Sequence, residues 1–176
     1  GSCGGGIAYW FGSGVVQNNT IFGNSQDGIY HQSGDLLEIR NNIVVSNEFG
    51  IQTPAVSLTV NYNDAWGNTN GDYSISGIGN LSVNPLFVNP GSDFHLQPGS
   101  WAIDAADPAN SPAADYAGNG RPFGAYADMG AYEYYTGTCF ARVNGTGRVY
   151  SSTQAAVDAA GLATDVVFVA GTCQGA

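Results

Sequence analysis

One short pattern is written three times between Gly6 and Gly71. Gly6-Ile7, Gly28-Ile29 and Gly50-Ile51 recur at 22-residue steps, and Gly71 follows 21 later. Asn19, Asn42 and Asn63 are spaced 23 and 21 apart, and Asn24, Asn47 and Asn68 keep the same two intervals. The register therefore holds at both ends of each repeat. Aligned, Asn18-Asn19-Thr20-Ile21-Phe22-Gly23-Asn24, Asn41-Asn42-Ile43-Val44-Val45-Ser46-Asn47 and Tyr62-Asn63-Asp64-Ala65-Trp66-Gly67-Asn68 share an Asn, an apolar pair, a small residue and a second Asn. Such self-similarity restricts the chain to architectures made by stacking one unit.

A leucine-rich repeat has a similar length but needs leucines at fixed positions, and residues 6–27 contain none. One coil of a right-handed parallel β-helix needs about three short strands joined by tight turns, which ~22 residues supply. The turn chemistry is present in Gly12-Ser13-Gly14, Ser33-Gly34-Asp35, Asn47 and Gly67-Asn68, residues that tolerate sharply bent or left-handed backbone. Between them lie runs such as Leu36-Leu37-Glu38-Ile39 and Val56-Ser57-Leu58-Thr59-Val60, which alternate as strands do. Equivalent asparagines then stack coil on coil about 4.8 Å apart, with their amides bonded along the ladder. This reading gives them a structural role rather than a catalytic one. It also puts Ile7, Ile29 and Ile51 in one interior column.

The 26 glycines and 10% charged residues fit turn-dense β structure. There is no lysine; Arg40, Arg121, Arg142 and Arg148 carry all the formal positive charge, and the net charge is -10. Nucleic acid and anionic membrane are poor partners for such a surface. No apolar run is long enough to span a bilayer. The expected organisation is coils over 1–75, an irregular proline-punctuated cap over 76–136, and a strand-helix-strand segment over 137–176. Asn84-Pro85 to Asn89-Pro90 and Asp93 to Ser100 read as extended pieces that cannot sit in a central ladder, and they are expected to cover the open edge of the last coil. Ser151-Ser152-Thr153-Gln154 opens a short helix continued by Ala155, Ala156, Val157, Ala159 and Ala160 and ended by Gly161, and 165–172 reads as a strand.

The run from Tyr62 to Asn68 through Asn84-Pro85-Leu86-Phe87-Val88, Phe94 to Ser100, Ala102-Ile103-Asp104-Ala105, Asp115 to Asn119 with Arg121-Pro122, and Asp128-Met129-Gly130-Ala131-Tyr132-Glu133-Tyr134 resembles secreted bacterial right-handed β-helix repeat proteins of the choice-of-anchor Q type. Trp101 and Ala106 depart from the usual Pro and Gly of that pattern. The resemblance covers roughly residues 6–135 and implies a pectate-lyase-like fold and an extracellular or cell-surface location, without implying an active site. The passage after Tyr135 resembles the N-terminal start of the same proteins.

Candidate functional residues are few. Cys139 and Cys173, at either end of the last segment, suit a disulfide in an oxidising compartment, leaving Cys3 odd. Asn18, Asn80 and Asn144 head N-glycosylation sequons. Asp104, Asp107, Asp115 and Asp128, with Glu133, form a cluster able to offer oxygen ligands to Ca²⁺, or else to pair with Arg121; no other cofactor is expected. His31 and His95 lack partners at metal-ligand spacing. Tyr9-Trp10-Phe11 offers a sugar-stacking platform, but two of the three are expected inside or packed on a neighbour. Arg40 is the lone basic residue of the coils, and Asp27, Asp35, Glu38, Glu48, Asp64 and Asp72 are scattered rather than paired, against lyase or hydrolase chemistry. The expected function is a non-catalytic extracellular structural or adhesive module that either is one unit of a tandem array in a longer polypeptide or associates end to end, through Cys3, Gly6 and Ile7 at the first coil and 137–176 of a neighbouring copy. A polysaccharide-binding or polysaccharide-degrading β-helix is the alternative.

Overall fold

The computed structural model describes residues 5–33, 37–54, 58–135, 139–143, 149–150, 153–161 and 166–171. Three coils dominate it, each with three strands. The first coil holds β1 (Ile7–Tyr9), β2 (Gly14–Gln17) and β3 (Thr20–Phe22); the second holds β4 (Ile29–His31), β5 (Leu37–Arg40) and β6 (Ile43–Val45); the third holds β7 (Ile51–Gln52), β8 (Thr59–Asn61) and β9 (Asp64–Trp66). Equivalent strands pair in parallel to give three sheets, β1-β4-β7, β2-β5-β8 and β3-β6-β9. The chain is an all-β parallel β-helix.

Register follows the sequence repeat. Ile7 lies opposite Ile29 and Ile29 opposite Ile51. Ile29 and Ile51 are fully buried, and they share one core with Val16, Ile21, Leu37, Ile39, Val44, Val60 and Ala65. The glycine preceding each isoleucine is explained by space. A Cβ on Gly28 would stand 2.3 Å from Val44 Cγ1, 2.9 Å from Asn47 Nδ2 and 3.0 Å from the carbonyl of Gly50. Coil-on-coil approach at this corner therefore excludes any side chain.

The corners also use left-handed backbone at repeating positions. Asn18, Asn41 and Tyr62 have φ of 52, 58 and 54°, and Gly23, Ser46 and Gly67 have φ of 70, 59 and 65°. Each of these residues comes directly before a ladder asparagine. Asparagine tolerates this region better than most residues, so its doubling at 18–19 and 41–42 has a backbone cause.

A partial fourth turn follows. Tyr73 bridges to Ile51 and Leu81 bridges to Asp64. Tyr73 thus continues the isoleucine column, and its hydroxyl reaches back among Ala65 N (2.9 Å), Asn63 O (2.7 Å) and Leu81 O (2.7 Å).

The proline-punctuated segment corrects the expectation that it covers the last coil. It instead doubles back along the outer face of the third sheet. Here β10 (Phe87–Asn89) and β11 (Asp93–Leu96) form a small antiparallel pair, and Phe87, Leu96, Ala102, Ala106, Ala127 and Met129 bury Ile43 and Val45 from outside. This is why all three residues of β6 are buried. The return reaches the second coil, where Gly130 N donates to Asn41 O (2.7 Å), and the first, where Asn18 Nδ2 donates to Asp128 O (3.1 Å) and Ala131 N to Thr20 Oγ1 (3.0 Å).

The last segment has a separate antiparallel sheet in the order β13-β12-β14, from β12 (Cys139–Val143), β13 (Val149–Tyr150) and β14 (Val167–Gly171), with α1 (Thr153–Ala159). Ala141, Val143 and Ala156 form its core with Ala160 and Val167 against them. The strand-helix-strand expectation omitted the short β13. Ser151, expected to start the helix, lies outside the described residues.

Candidate functional site

The polar side chains of the coils form two ladders. In the first, Asn19 N and Nδ2 both donate to Asn42 Oδ1 (3.0 Å each), Asn42 N and Nδ2 to Asn63 Oδ1 (3.0 and 2.9 Å), and Asn63 N and Nδ2 to Asn80 Oδ1 (2.9 and 3.3 Å). In the second, Asn24 donates the same pair to Asn47 Oδ1, Asn47 to Asn68 Oδ1, and Asn68 to Asp72 Oδ1. The asparagines are structural, as expected. Asn80 and Asp72 are ladder members that the repeat spacing did not reveal, because the fourth turn is irregular.

This accounts for two of the three sequon asparagines. Asn18 is buried with its Nδ2 on Asp128 O, and Asn80 Nδ2 donates to Val60 O (2.8 Å). The nitrogen that a glycan would take is engaged in both cases, so the structure gives them packing roles. Asn144 lies outside the described residues.

The acidic cluster is assembled around Arg121. Arg121 is buried, its two terminal nitrogens donate to Asp128 O and Gly130 O (2.7 Å each), and Nη1 stands 3.1 Å from Glu133 Oε2. Glu133 in turn accepts from Phe123 N (3.0 Å) and Asp128 N (3.2 Å). The side chain of Asp128 accepts from Asp104 N (2.8 Å) and Tyr134 N (2.5 Å). Burial pushes the Asp128 carboxyl up to about 7, and Glu133 adds to the shift. Glu133 is itself raised, because its burial outweighs the opposing pull of Arg121.

The remaining metal candidates point elsewhere. Asp107 accepts from Ala109 N (3.0 Å) and Asn110 Nδ2 (2.9 Å), Asp104 from Tyr126 N (3.0 Å), and Asp115 from Asn119 N (2.8 Å) and Glu133 N (3.2 Å). Among the described residues no three His, Cys, Asp or Glu side chains converge as metal ligands. The carboxylates hold loop backbone, so the calcium expectation gains no geometric support.

The histidines separate. His31 is buried with Nδ1 3.3 Å from Thr53 Oγ1. His95 does have a carboxylate partner, Asp93, with Nδ1 to Oδ1 at 2.6 Å, and it stacks on Tyr132 at 4.1 Å between ring centroids. Bonds from His95 lower the Asp93 carboxyl.

On the outer face of the first sheet, Ala8, Tyr30 and Gln52 floor a groove of about 800 Å³, with Trp10, Asp27 and Glu48 also lining it. Tyr9 of the aromatic triplet packs on the core, while Trp10 (59% exposed) and Phe11 (77% exposed) are largely outside, Trp10 lying against its neighbour Tyr30. Trp10 meets Tyr30 edge to face at 5.9 Å. Partial burial first, and the charge of Glu48 second, raise Asp27.

The assembly candidates Gly6 and Ile7 lie at the first coil. Gly6 N and Ile7 N donate to Asp27 O (3.0 Å) and Gly28 O (2.8 Å). Among the described residues, strands β1, β2 and β3 are the outermost in their sheets, each paired on one side. Cys3 and Cys173 lie outside the described residues, while the backbone of Cys139 is opposite Gly171.

No described helix is long and apolar enough to cross a membrane. No curated protein matches the chain, and neither does any solved structure. Residues 1–85 match the family described as right handed beta helix region, which spans the three coils and the partial fourth turn.

Proposed function

We propose that the protein is a non-catalytic structural module of an extracellular surface layer or fibre, which associates end to end through its first coil. One observation carries this reading: the polar groups repeated from coil to coil are engaged in holding coil to coil, and among the described residues β1, β2 and β3 each pair with one strand only. The deeply buried carboxylates of the cap likewise fix loop backbone rather than facing an open site. An exposed parallel edge is a template for strand addition, and contacts of that kind between unlike ends propagate into filaments. Sedimentation and electron microscopy of the full chain test it, with a panel of acidic and neutral polysaccharides assayed for new reducing or unsaturated ends. Concentration-dependent end-to-end species without turnover are expected. Turnover of any polysaccharide would sink the reading.

A second reading rests on the groove. Trp10 and Tyr30 give it aromatic faces, and Asp27 beside Glu48 gives it acid groups, which suits binding of a neutral polysaccharide laid across the coils. Trp10→Ala with unchanged melting and at least about tenfold weaker glycan retention would favour it.

A further inference from the structure

The groove on the outer face of the first sheet is written by the repeat itself. Ala8 lies opposite Tyr30 and Tyr30 opposite Gln52, so the three form one column along the stacking axis. Gln26, Glu48 and Asn70 stand 22 apart in sequence and line the same groove as a second column, joined by Glu48 N to Gln26 O (3.0 Å) and Asn70 N to Glu48 O (2.6 Å). The groove therefore crosses the strands and advances about 4.8 Å per coil. It lies on a sheet face rather than at a sheet edge, so strands added to the stack would lengthen it without filling it.

Its charge is one-sided. Asp27 and Glu48 line it, and no Arg or His does among its described residues. The ion pairs of the described residues are Arg40 with Glu38, His95 with Asp93 and Arg121 with Glu133, so neither groove carboxylate has a cation. Glu48 accepts instead from the neutral amide of Asn70, Nδ2 to Oε1 at 3.1 Å. The two acids also feel one another, since the charge of Glu48 adds to the burial that raises Asp27. Like charges gathered without a counter-charge repel, and a bound cation removes that cost. Beside them the largely exposed Trp10 stands edge to face with Tyr30. Aromatic faces attract cations and give flat apolar platforms. The amides of Gln26, Gln52 and Asn70 add groups of the kind that pair with hydroxyls.

We propose that this groove binds an extended polysaccharide whose residues carry free amino groups, with its ammonium groups on Asp27 and Glu48 and its ring faces on Trp10 and Tyr30. The proposal rests on the groove reading above but makes the occupant cationic, where that reading leaves it neutral. Each demand excludes a rival. A polyuronate would bring carboxylates to a carboxylate-lined groove on a chain of net charge -10. A neutral polysaccharide would leave the acid pair uncompensated. A lysine-rich peptide would answer the acids but bring no hydroxyls to the three amides, and a sheet face offers it none of the main-chain hydrogen bonds that a sheet edge would.

The test is calorimetric binding of the full chain, at pH 6, to hexamers of β-1,4-linked glucosamine, of its N-acetylated form, of galacturonate and of lysine. The glucosamine hexamer should bind at least about tenfold more tightly than the N-acetylated one, and about 0.5 M salt should remove most of that difference. Asp27→Asn with Glu48→Gln should bring the two forms within about twofold of each other, while Trp10→Ala should weaken both. Asp27 is half-buried and Glu48 exposed, so unchanged melting is expected; should the pair melt lower, Glu48→Gln alone makes the same comparison. Equal binding of the two glucosamine forms would overturn the proposal and leave the neutral reading standing. Tighter binding of the lysine or galacturonate hexamer would overturn it in favour of a basic peptide or an acidic glycan. A preference that survives the acid substitutions would place the amine elsewhere and overturn it too. Binding of none of the four would sink both readings of the groove. None of these outcomes bears on end-to-end association, which sedimentation reads separately.

Discussion

Asn19 and Asn42 are joined twice, since both the main-chain N–H and the Nδ2 of Asn19 reach Oδ1 of Asn42 at 3.0 Å. One oxygen thus satisfies a backbone and a side-chain donor together, and Asn42 repeats the arrangement on Asn63. Asn42 also donates to Val16 O (2.8 Å) and Arg40 O (2.9 Å) while fully buried. Replacing it by Ala strands several of these groups away from water. Asn42→Ala should cost on the order of 3 kcal/mol, against less than about 0.5 for the exposed Asn70→Ala, as read from urea denaturation.

The isoleucine column makes a second prediction. Ile29 is fully buried between Ile7 and Ile51, so Ile29→Asp sets an unpaired charge in the middle of the stack and should unfold it. Ile29→Val removes one methylene and should cost only ~1 kcal/mol. Circular dichroism melts of the two variants separate a core column from a surface one; an unmoved transition for Ile29→Asp would remove the column from the interior.

Much of this was legible in the repeat. Gly-Ile and Asn recur because one coil's backbone geometry is copied in the next, and equal spacing then means equal position. Legibility failed where copying stopped. Asn80 joins the first ladder at a separation of 17 residues, and Asp72 ends the second only 4 residues after Asn68, so neither keeps the repeat interval. The course of the cap was hidden for another reason. Proline told where strands end, but the outward faces of Ile43 and Val45, which decide where the cap lies, read as ordinary strand residues. Pairing of the acidic cluster with Arg121 was legible, but that Glu133 takes the guanidinium depends on that same long return.

Two buried aspartates set a pH dependence. Burial pushes Asp64 up to about 7; the residue is fully buried, and Oδ2 finds no hydrogen-bond partner. Asp128 is pushed up to about 7 as well. The folded state then holds protons that the unfolded chain releases near pH 4, so stability is highest below that point and falls as pH rises to about 7. The melting temperature should be higher at pH 5 than at pH 7.5. Asp64→Asn should flatten this slope by a part worth on the order of 2 to 4 kcal/mol. A slope unchanged in that variant would place the effect elsewhere.

The C-terminal segment carries the redox prediction. Cys139 opens β12 opposite Gly171, the last residue of β14, and Cys173 follows two residues later in sequence. A bond between the two cysteines would close 34 residues and restrain the unfolded chain by about 3 to 4 kcal/mol. Mass spectrometry of unreduced peptides should find Cys139 linked to Cys173. Free thiols at both would remove the support for an oxidising compartment.

Arg121 makes the last prediction, because it ties the returning cap together. Its side chain and that of Glu133 are each about 1% exposed, and its terminal nitrogens hold the carbonyls of Asp128 and Gly130. Those same residues touch the coils through Asn18 Nδ2 and Asn41 O. Losing the guanidinium leaves Glu133 buried without its cation and two carbonyls without donors, a change of about 3 to 5 kcal/mol. Arg121→Met keeps much of the apolar volume, so the loss is chiefly electrostatic. The coils keep their ladders in this variant, since no ladder bond passes through Arg121. Limited proteolysis should therefore cut Arg121→Met first between residues 84 and 134, at protease levels that leave the parent intact, while residues 6–72 persist as a protected fragment. Simultaneous loss of both regions would show that coils and cap unfold as one unit and that the cap is part of the stack's own stability.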